Sequence, residues 1–354
     1  MAGFRVGIQS ANGRRPPNLI TKPNPMSPEP IKTSPAPGRR QRPAPLQFCF
    51  RSSAARRLGL LVCLSASLTA PAARGGFPGD GWSRIPYGES KNLFGVSHLD
   101  GRFLVTGNAR ALHLGGGRVT RVVVRPGGYR GDLHAVALGG GGYVAVGEAG
   151  ASEPRLLTSR DAVNWEDETG IGGFFRDLQD VLWDGTRYVA VGDMSSWTST
   201  DGKTWRRHYN AAGRSLRAVA YGNGRYVAVG DGGAVAHSED ATNWTAAQTP
   251  RGFDAPLKDV VWGGGRFVAV GRELRLAAGI LVSDDGVHWE AVWTGLPELR
   301  GVAYGGGWYV AVGAGGTLAV SADARSWQRQ PSGVFGNLNG VAFGGGEFLA
   351  VGQG

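Results

Sequence analysis

Residues 216–230 read LRAVAYGNGRYVAVG, and the pattern L-x-x-V-x-x-x-x-x-x-[YF]-[VL]-x-x-G occurs seven times in the chain. The first half alternates apolar and variable positions, which is typical of a β-strand. Asn-Gly, Asp-Gly or Gly-Gly pairs follow, and these residues favour tight hairpin turns. The second half is almost entirely apolar, as in a strand that is buried on both faces. Each copy therefore predicts a β-hairpin. The copies begin at Leu93, Leu133, Leu178, Leu216, Leu257, Leu299 and Leu338.

A second motif, Ser-x-Asp-x-x-x-Trp, follows the hairpin in five of the repeats. We expect its aspartate to accept hydrogen bonds from turn amides, and its tryptophan to pack between neighbouring repeats. Alanine stands after the aspartate in three copies where the other two have glycine, so we expect no positive φ there. The motif residues are Ser159, Asp161, Trp165, Ser199, Asp201, Trp205, Ser238, Asp240, Trp244, Ser283, Asp285, Trp289, Ser321, Asp323 and Trp327.

Successive repeats are 38 to 45 residues apart, which accommodates four short strands but no independent core. Seven such units arranged radially predict an all-β fold, a seven-bladed β-propeller of four-stranded antiparallel blades. The last repeat stops before its third strand. Trp82 and the segment SRIPYG resemble the tryptophan and fourth strand of the other copies. We therefore expect residues 82–87 to complete the seventh blade, leaving it with three strands.

The Ser-x-Asp-x-x-x-Trp motif resembles the Asp-box, or BNR, repeat of sialidases, sortilin-type domains and propeller-type photosystem assembly factors, although it is one residue shorter. The resemblance covers roughly residues 82–354. It implies a propeller, but it does not imply one activity, because propellers carry unrelated functions on the same scaffold.

The region before Arg74 differs in composition from the repeats. It holds eleven of the 38 Lys and Arg residues but one of the 28 acidic residues, so the remainder is formally neutral and offers no footprint for nucleic acid. Residues 1–55 are rich in Pro and Arg and predict disorder, or an upstream start codon that is not used. Residues 56–73 carry a basic pair, a short apolar run and small residues, as a signal peptide does. The expected product is a secreted or periplasmic propeller, residues 74–354, with no membrane span; a cytoplasmic protein with a basic tail is the alternative.

A binding surface is expected on the face opposite the hairpin turns and Asp-boxes, where the variable loops carry aromatic and charged residues. Such side chains suit a protein or peptide partner, with a glycan as the alternative. The candidates are Arg125, Tyr129, Arg130, Asp132, Phe174, Phe175, Arg176, Asp177, Arg251, Phe253, Asp254, Arg272 and Arg275.

Catalysis, a metal and a cofactor are not expected. The two cysteines, Cys49 and Cys63, lie in the leader, and the histidines show no metal-ligand spacing. The repeated Asp-box acids are predicted to be structural. A sialidase-like glycoside hydrolase is the alternative, because its family has an Arg-Ile-Pro triplet and this chain has Arg84-Ile85-Pro86. However, Trp82 assigns that triplet to an outer strand, away from the channel.

Overall fold

The computed structural model describes residues 60–64, 82, 85–86, 92–108, 110–115, 118–121, 131–148, 154–168, 177–210, 212–272 and 279–353. All of them belong to one compact unit, Ala55–Gly354. The leader predicted to be disordered lies outside the described residues.

The described strands form seven four-stranded antiparallel sheets, as the repeat predicted. In chain order, β1 is Leu60–Leu64 and β2 is Ile85–Pro86. Blade 1 contains β3 (Leu93–Leu99), β4 (Arg102–Gly107), β5 (Arg110–Gly115) and β6 (Arg118–Arg121). Blade 2 contains β7 (Asp132–Gly139), β8 (Gly142–Glu148), β9 (Pro154–Ser159) and β10 (Glu166–Asp167). Blade 3 contains β11 (Leu178–Trp183), β12 (Tyr188–Gly192), β13 (Ser195–Ser199) and β14 (Arg206–Tyr209).

The remaining blades follow the same order, from an inner first strand to an outer fourth strand. Blade 4 contains β15 (Leu216–Gly222), β16 (Arg225–Gly230), β17 (Val235–Ser238) and β18 (Thr245–Ala246). Blade 5 contains β19 (Leu257–Gly263), β20 (Arg266–Gly271), β21 (Gly279–Ser283) and β22 (Glu290–Trp293). Blade 6 contains β23 (Leu299–Gly305), β24 (Trp308–Gly313), β25 (Leu318–Ser321) and β26 (Gln328–Gln330), and blade 7 begins with β27 (Leu338–Gly344) and β28 (Glu347–Gly352). Short 3₁₀ turns, Asp231–Gly233 and Ala314–Gly316, join the second and third strands of blades 4 and 6.

Blade 7 packs directly against blade 1, so the ring is closed. The Asn339 side chain donates a 2.7 Å hydrogen bond to the Leu93 carbonyl, across the two ends of the repeat array. Leu349 and Val351 of β28 share a buried apolar cluster with Leu93 and Val105 of blade 1. Closure leaves no exposed sheet face at an end of the array.

The seventh blade is completed from the N-terminal side, as expected, but it has four strands rather than three. β2 is its outermost strand, and β1 fills the third position between β28 and β2. Trp82 packs on the apolar cluster of blades 6 and 7. The prediction of three strands was wrong because the apolar run Leu60–Leu64, which also fits a signal peptide, forms the third strand. The same apolar residues suit a strand beside β28, in which every residue except Glu347 is buried. The signal peptide itself stays a prediction.

The Asp-boxes adopt the expected hydrogen-bonded turns. In the copy at Asp161, the Oδ1 atom accepts hydrogen bonds from the backbone N–H groups of Val163 and Asn164, at 2.8 and 2.7 Å. The Trp165 indole N–H donates to the Ala162 carbonyl at 3.2 Å, and the ring lies in a cluster shared by blades 1 and 2. The tryptophans thus pack between blades, as expected.

The expectation that the residue after the aspartate avoids positive φ was wrong. Ala162, Ala241 and Ala324 have φ of 59°, 61° and 60°, close to the 76° and 75° of Gly202 and Gly286. The aspartate bonds and the indole bond to this residue's own carbonyl hold the backbone in the left-handed region, although that conformation is unfavourable for alanine. The presence of alanine at that position therefore did not indicate a negative φ.

Candidate functional site: the channel mouth

The innermost strand of every blade contains a β-bulge at the second residue of the repeat. Pairing between the first two strands skips one residue in each blade, for example Arg217 between Leu216 and Ala218. A bulge leaves that residue out of the regular pairing and can redirect its side chain. We call the seven bulged residues the mouth ring: Phe94, His134, Gln179, Arg217, Lys258, Arg300 and Asn339.

The mouth ring lines one cavity of ≈ 510 Å³ at the central channel. The cavity therefore receives a side chain from every blade, and all seven are half-buried. The repeat keeps Leu, Val and Gly at its structural positions but has six different residue types at this one. Folding does not require a particular side chain there, so this position is available to determine what the channel mouth contacts.

Blades 4, 5 and 6 each contribute a cationic side chain to the mouth ring, and these three side chains differ in their ion-pair partners. Arg217 makes a two-pronged ion pair with Asp231, with contacts of 2.5 and 2.9 Å. Arg300 donates to Asn339 Oδ1 at 3.1 Å and lies 3.6 Å from Glu298. No acidic side chain among the described residues is paired with Lys258, which stands between the two arginines. Burial lowers the pKa of Lys258, and so do the charges of Arg217 and Arg300, while the charges of Glu298 and Asp231 partly oppose the shift.

A second cavity of ≈ 400 Å³ lies beside the channel, over blades 2 to 4, and is acidic. Its lining contains Glu148, Asp177, Asp193 and Asp231, and it shares His134, Gln179 and Arg217 with the channel cavity. Burial raises the pKa of Glu148, and a hydrogen bond to Asp177 and that residue's charge raise it further. The Oδ1 atom of Asp177 is buried and accepts no hydrogen bond from the described residues. We call this site the acidic cavity.

Two carboxylates, Asp180 and Asp259, lie in the channel one residue beyond the mouth ring. Asp180 accepts hydrogen bonds from the backbone N–H groups of Val181 and Val219, and Asp259 accepts the equivalent pair from Val260 and Val302. Both aspartates are partly accessible from the channel, although the blades enclose the channel itself. Burial raises the pKa of both to about 7, and for Asp259 the charge of Asp180 adds to the effect.

Phe335 is the most exposed large apolar residue of the described chain, with 97% of its surface accessible. It belongs to the loop between blades 6 and 7, on the side of the ring where the channel mouth opens. The loop is held in place, because Ser332 Oγ donates to the Gly316 carbonyl at 2.6 Å and the preceding Val334 packs on the core. An exposed aromatic ring on a well-held loop is a typical anchor for a protein partner. The sequence analysis missed Phe335; its only signal was an apolar pair, Val334-Phe335, flanked by two glycines.

The binding residues predicted from the loops lie in different environments in the structure. Asp177 lines the acidic cavity, and Asp132 accepts a hydrogen bond from Asn108 at 2.7 Å. Phe253 packs on the core cluster of blades 4 and 5, and so it supports the loop. Arg251, Asp254 and Arg272 are exposed and line neither cavity. The other seven, Arg125, Tyr129, Arg130, Phe174, Phe175, Arg176 and Arg275, lie outside the described residues.

The Asp-box acids lie at the opposite ends of the strands from the mouth ring. Arginines at the hairpin turns hold them from the neighbouring blade: Arg225 donates to the Asp285 carbonyl and Arg266 to the Asp323 carbonyl, both at 3.1 Å. The hydrogen bonds of Asn164 and Val163 lower the pKa of Asp161 well below its ordinary range. These contacts match a structural role for the motif.

Among the described residues, the channel does not show the site that the sialidase resemblance implies. Ile85–Pro86 forms the outermost strand of blade 7, and Arg84 lies outside the described residues. The described lining of the two cavities includes no tyrosine, which that family uses as its nucleophile. Within the described ranges, no three His, Cys, Asp or Glu side chains cluster as metal ligands would. The described residues also contain no helix that is long and apolar enough to cross a bilayer.

Comparison with known proteins identifies the fold. No protein-family model and no curated protein sequence matches the chain. Among solved structures, YCF48 bound to D1 peptide is similar, with a TM-score of 0.60 and 17% identity over 75% of this chain and 89% of that chain. YCF48 from Cyanidioschyzon merolae gives a TM-score of 0.57 and 16% identity over 75% of this chain and 97% of that chain. At this level of identity the similarity shows a shared propeller fold.

Proposed function

We propose that this protein is a binding or assembly scaffold that holds a segment of a partner protein at the channel mouth. The mouth ring carries this proposal: at one bulged position, seven otherwise similar blades present different side chains to a common cavity. Polar groups placed at the rim of a rigid concave surface are typical of binding sites.

Two further observations favour a protein segment over a small molecule. Phe335 offers an apolar anchor that is already ordered, so little conformational entropy is lost when a partner covers it. The two adjoining cavities, ≈ 400 and ≈ 510 Å³, are open and are lined largely by polar and charged side chains. Drug-sized ligands instead bind mostly in apolar pockets.

The similarity to YCF48 supports the same proposal from another direction. One of the similar structures contains a bound D1 peptide, so a propeller of this shape can bind a segment of another protein. Identity of 17% does not transfer that partner to this chain. We also propose, from the signal predicted at residues 56–73, that binding takes place outside the cytoplasm; cleavage of that signal would remove β1 from blade 7.

Site-specific photo-crosslinking in native cells tests the proposal. A photoreactive amino acid replaces Phe335, and in a control protein it replaces Val163, which is 45% exposed at an Asp-box on the opposite face. We expect one dominant adduct from position 335 and none of that mass from position 163. The adduct should diminish when Lys258→Gln is added, while the melting temperature stays within a few degrees. Equal crosslinking from both faces would contradict the proposal.

A further inference from the structure

The third strand of blade 7 differs from the third strands of the other blades in its place in the chain. In blades 1 to 6, the third strand is the next strand after the second one, whereas blade 7 takes it from Leu60–Leu64, before the whole repeat array. β1 pairs with β28 over four residues and with β2 over two. Among the described strands, β2 pairs with β1 alone. Cleavage of the signal predicted at residues 56–73 would therefore leave both β28 and β2 without this neighbour.

The β28 side of this position is suited to an incoming strand. Phe348, Leu349, Ala350 and Val351 of β28 are all buried, and on their other side they pair with β27. Once β1 is removed, the backbone N–H and C=O groups that faced it have no strand partner. Unpaired groups along a strand edge favour the addition of another strand, which supplies main-chain hydrogen bonds.

The equivalent strands of blades 5 and 6 show which side chains the position accepts. They read ILVS and LAVS and have the same register against their second strands. In blade 6, Leu318 and Val320 pack in the cluster shared with blade 7, and Ala319 packs in the cluster shared with blade 5. Three successive apolar residues are thus buried alternately against the two neighbouring blades. The fourth residue is Ser321, which lies opposite Tyr309 of the second strand.

Blade 7 presents the same kind of surface to its third strand. Phe348 stands at the aromatic position, and Leu64 lies opposite it where the other blade has serine. Ala350 and Phe348 belong to the apolar cluster of blades 6 and 7, whereas Leu349 and Val351 belong to the cluster shared with blade 1. The position therefore accepts three apolar residues, and a serine fits the fourth place as it does in blades 5 and 6.

We infer that, once residues 60–64 have been removed, blade 7 binds a partner protein by strand addition. An extended segment of the partner, three apolar residues followed by serine, pairs with β28 in antiparallel register. This site goes beyond the proposed function, because the third position lies away from the channel that the innermost strands surround.

A peptide complementation experiment tests the inference. The probe is a capped peptide with the sequence GILVSDDG, which is that of residues 279–286 in blade 5. The matched peptide carries N-methyl groups on its leucine and valine, so it lacks the N–H donors that a strand needs. Val62→Pro combined with Cys63→Pro opens the position in the full chain, since successive prolines prevent strand pairing. Ser67→Pro combined with Leu68→Pro, beyond the end of β1, is the control variant.

We expect the probe to bind the opened variant roughly tenfold more tightly than the unaltered chain or the control variant, in which β1 occupies the position. Bound probe should slow hydrogen exchange at the amides of β28 and leave those of β24 in blade 6 unchanged. The methylated peptide should have neither effect. If the opened variant does not melt cooperatively, a protease site inserted after Ala73 opens the position after folding, with excess probe present to replace the released segment.

Equal binding of the probe to the opened and unaltered chains, equal binding of the methylated peptide, or protection outside blade 7 would overturn the inference. A stable dimer of the unaltered chain that exchanges Leu60–Leu64 between copies would assign the position to a second copy, and would overturn it as well. None of these results depends on crosslinking at position 335, so failure here leaves the proposal for the channel mouth intact.

Discussion

The carboxylate of Asp180 accepts a hydrogen bond from the backbone N–H of Val219, 2.9 Å away on the neighbouring blade. The same carboxylate accepts the N–H of Val181 on its own blade, so it links two innermost strands inside the channel. Asp259 repeats this arrangement between blades 5 and 6. The channel wall is thus joined partly through buried carboxyl groups, and their protonation affects the stability of the ring.

We expect the protein to become less stable as the pH rises from about 4 to about 7. Burial raises the pKa of Asp180 and Asp259 to about 7, whereas unfolded aspartate titrates near its ordinary value of 3.8. Between these values the folded state binds more protons than the unfolded state, so the free energy of unfolding falls with increasing pH. The decrease is at most about 4 kcal/mol for each carboxyl group.

Urea unfolding at a series of pH values measures this dependence. Asp180→Asn and Asp259→Asn cannot ionise, so the double variant should show a flatter profile between pH 4 and 7. Asp-box acids such as Asp161 have a lowered pKa. The stability that they contribute is therefore lost only as the pH falls below about 4, which is outside this window. An unchanged slope in the double variant would show that the channel carboxyls do not control it.

The left-handed alanines of the Asp-boxes predict an unusual response to glycine. Ala241 and Ala228 are both completely buried in the same core cluster, but only Ala241 has a positive φ, at 61°. Ala228→Gly loses a buried methyl group and gains chain entropy in the unfolded state, whereas Ala241→Gly also relieves backbone strain. We expect Ala241→Gly to destabilise less than Ala228→Gly by about 1 to 2 kcal/mol in chemical denaturation. Equal losses would show that the turn stores no strain.

The repeat predicted the architecture because the strands and blades of a propeller recur with the same period as the sequence motif. Leucine, valine and glycine recur at the positions where strands pair and blades pack, so hairpins, blade number and the tryptophan packing could all be read from Leu93 to Gly352. The third strand of blade 7 could not, because Leu60–Leu64 is far from β28 in sequence and its apolar character fits a signal peptide equally well.

The site was harder to predict because it depends on an irregularity of the strands. The variable second residue of each repeat looks like an ordinary exposed strand position, but a bulge redirects Arg217, Lys258 and Arg300 toward the channel. The bulge is visible only in the pairing register. Of the candidates chosen from loop composition, Asp177 lines the acidic cavity, whereas the ring of Phe253 packs on the core.

Close contacts between glycine and aromatic residues join neighbouring blades on the hairpin-turn side. A Cβ atom added at Gly305 would lie 2.0 Å from Phe343 Cγ on the next blade. Gly305→Ala should therefore destabilise by about 1 to 3 kcal/mol through overpacking. In a Phe343→Ala background the same substitution should be much less harmful, since the opposing ring is gone. Additive losses in the double-mutant cycle would mean that the two residues do not meet.

The strand pairing of blade 7 predicts that removing residues 60–64 weakens one specific edge. β1 pairs with Phe348, Leu349, Ala350 and Val351 of β28, whose side chains are buried in the ring. A chain beginning at residue 74 should therefore melt at a lower temperature than one beginning at residue 55, because β28 loses its hydrogen-bonded neighbour on that side.

Hydrogen exchange locates the effect within the blade. In the shorter chain, amides of β28 that bond to β1 should exchange faster, while the amides of β16 in blade 4 should keep their protection. Replacing residues 60–64 by a glycine and serine segment of equal length controls for chain length and should reproduce the loss. If both chains melt together and protect β28 equally, Leu60–Leu64 does not stabilise the blade, and the outer strand Ile85–Pro86 must be held by other contacts.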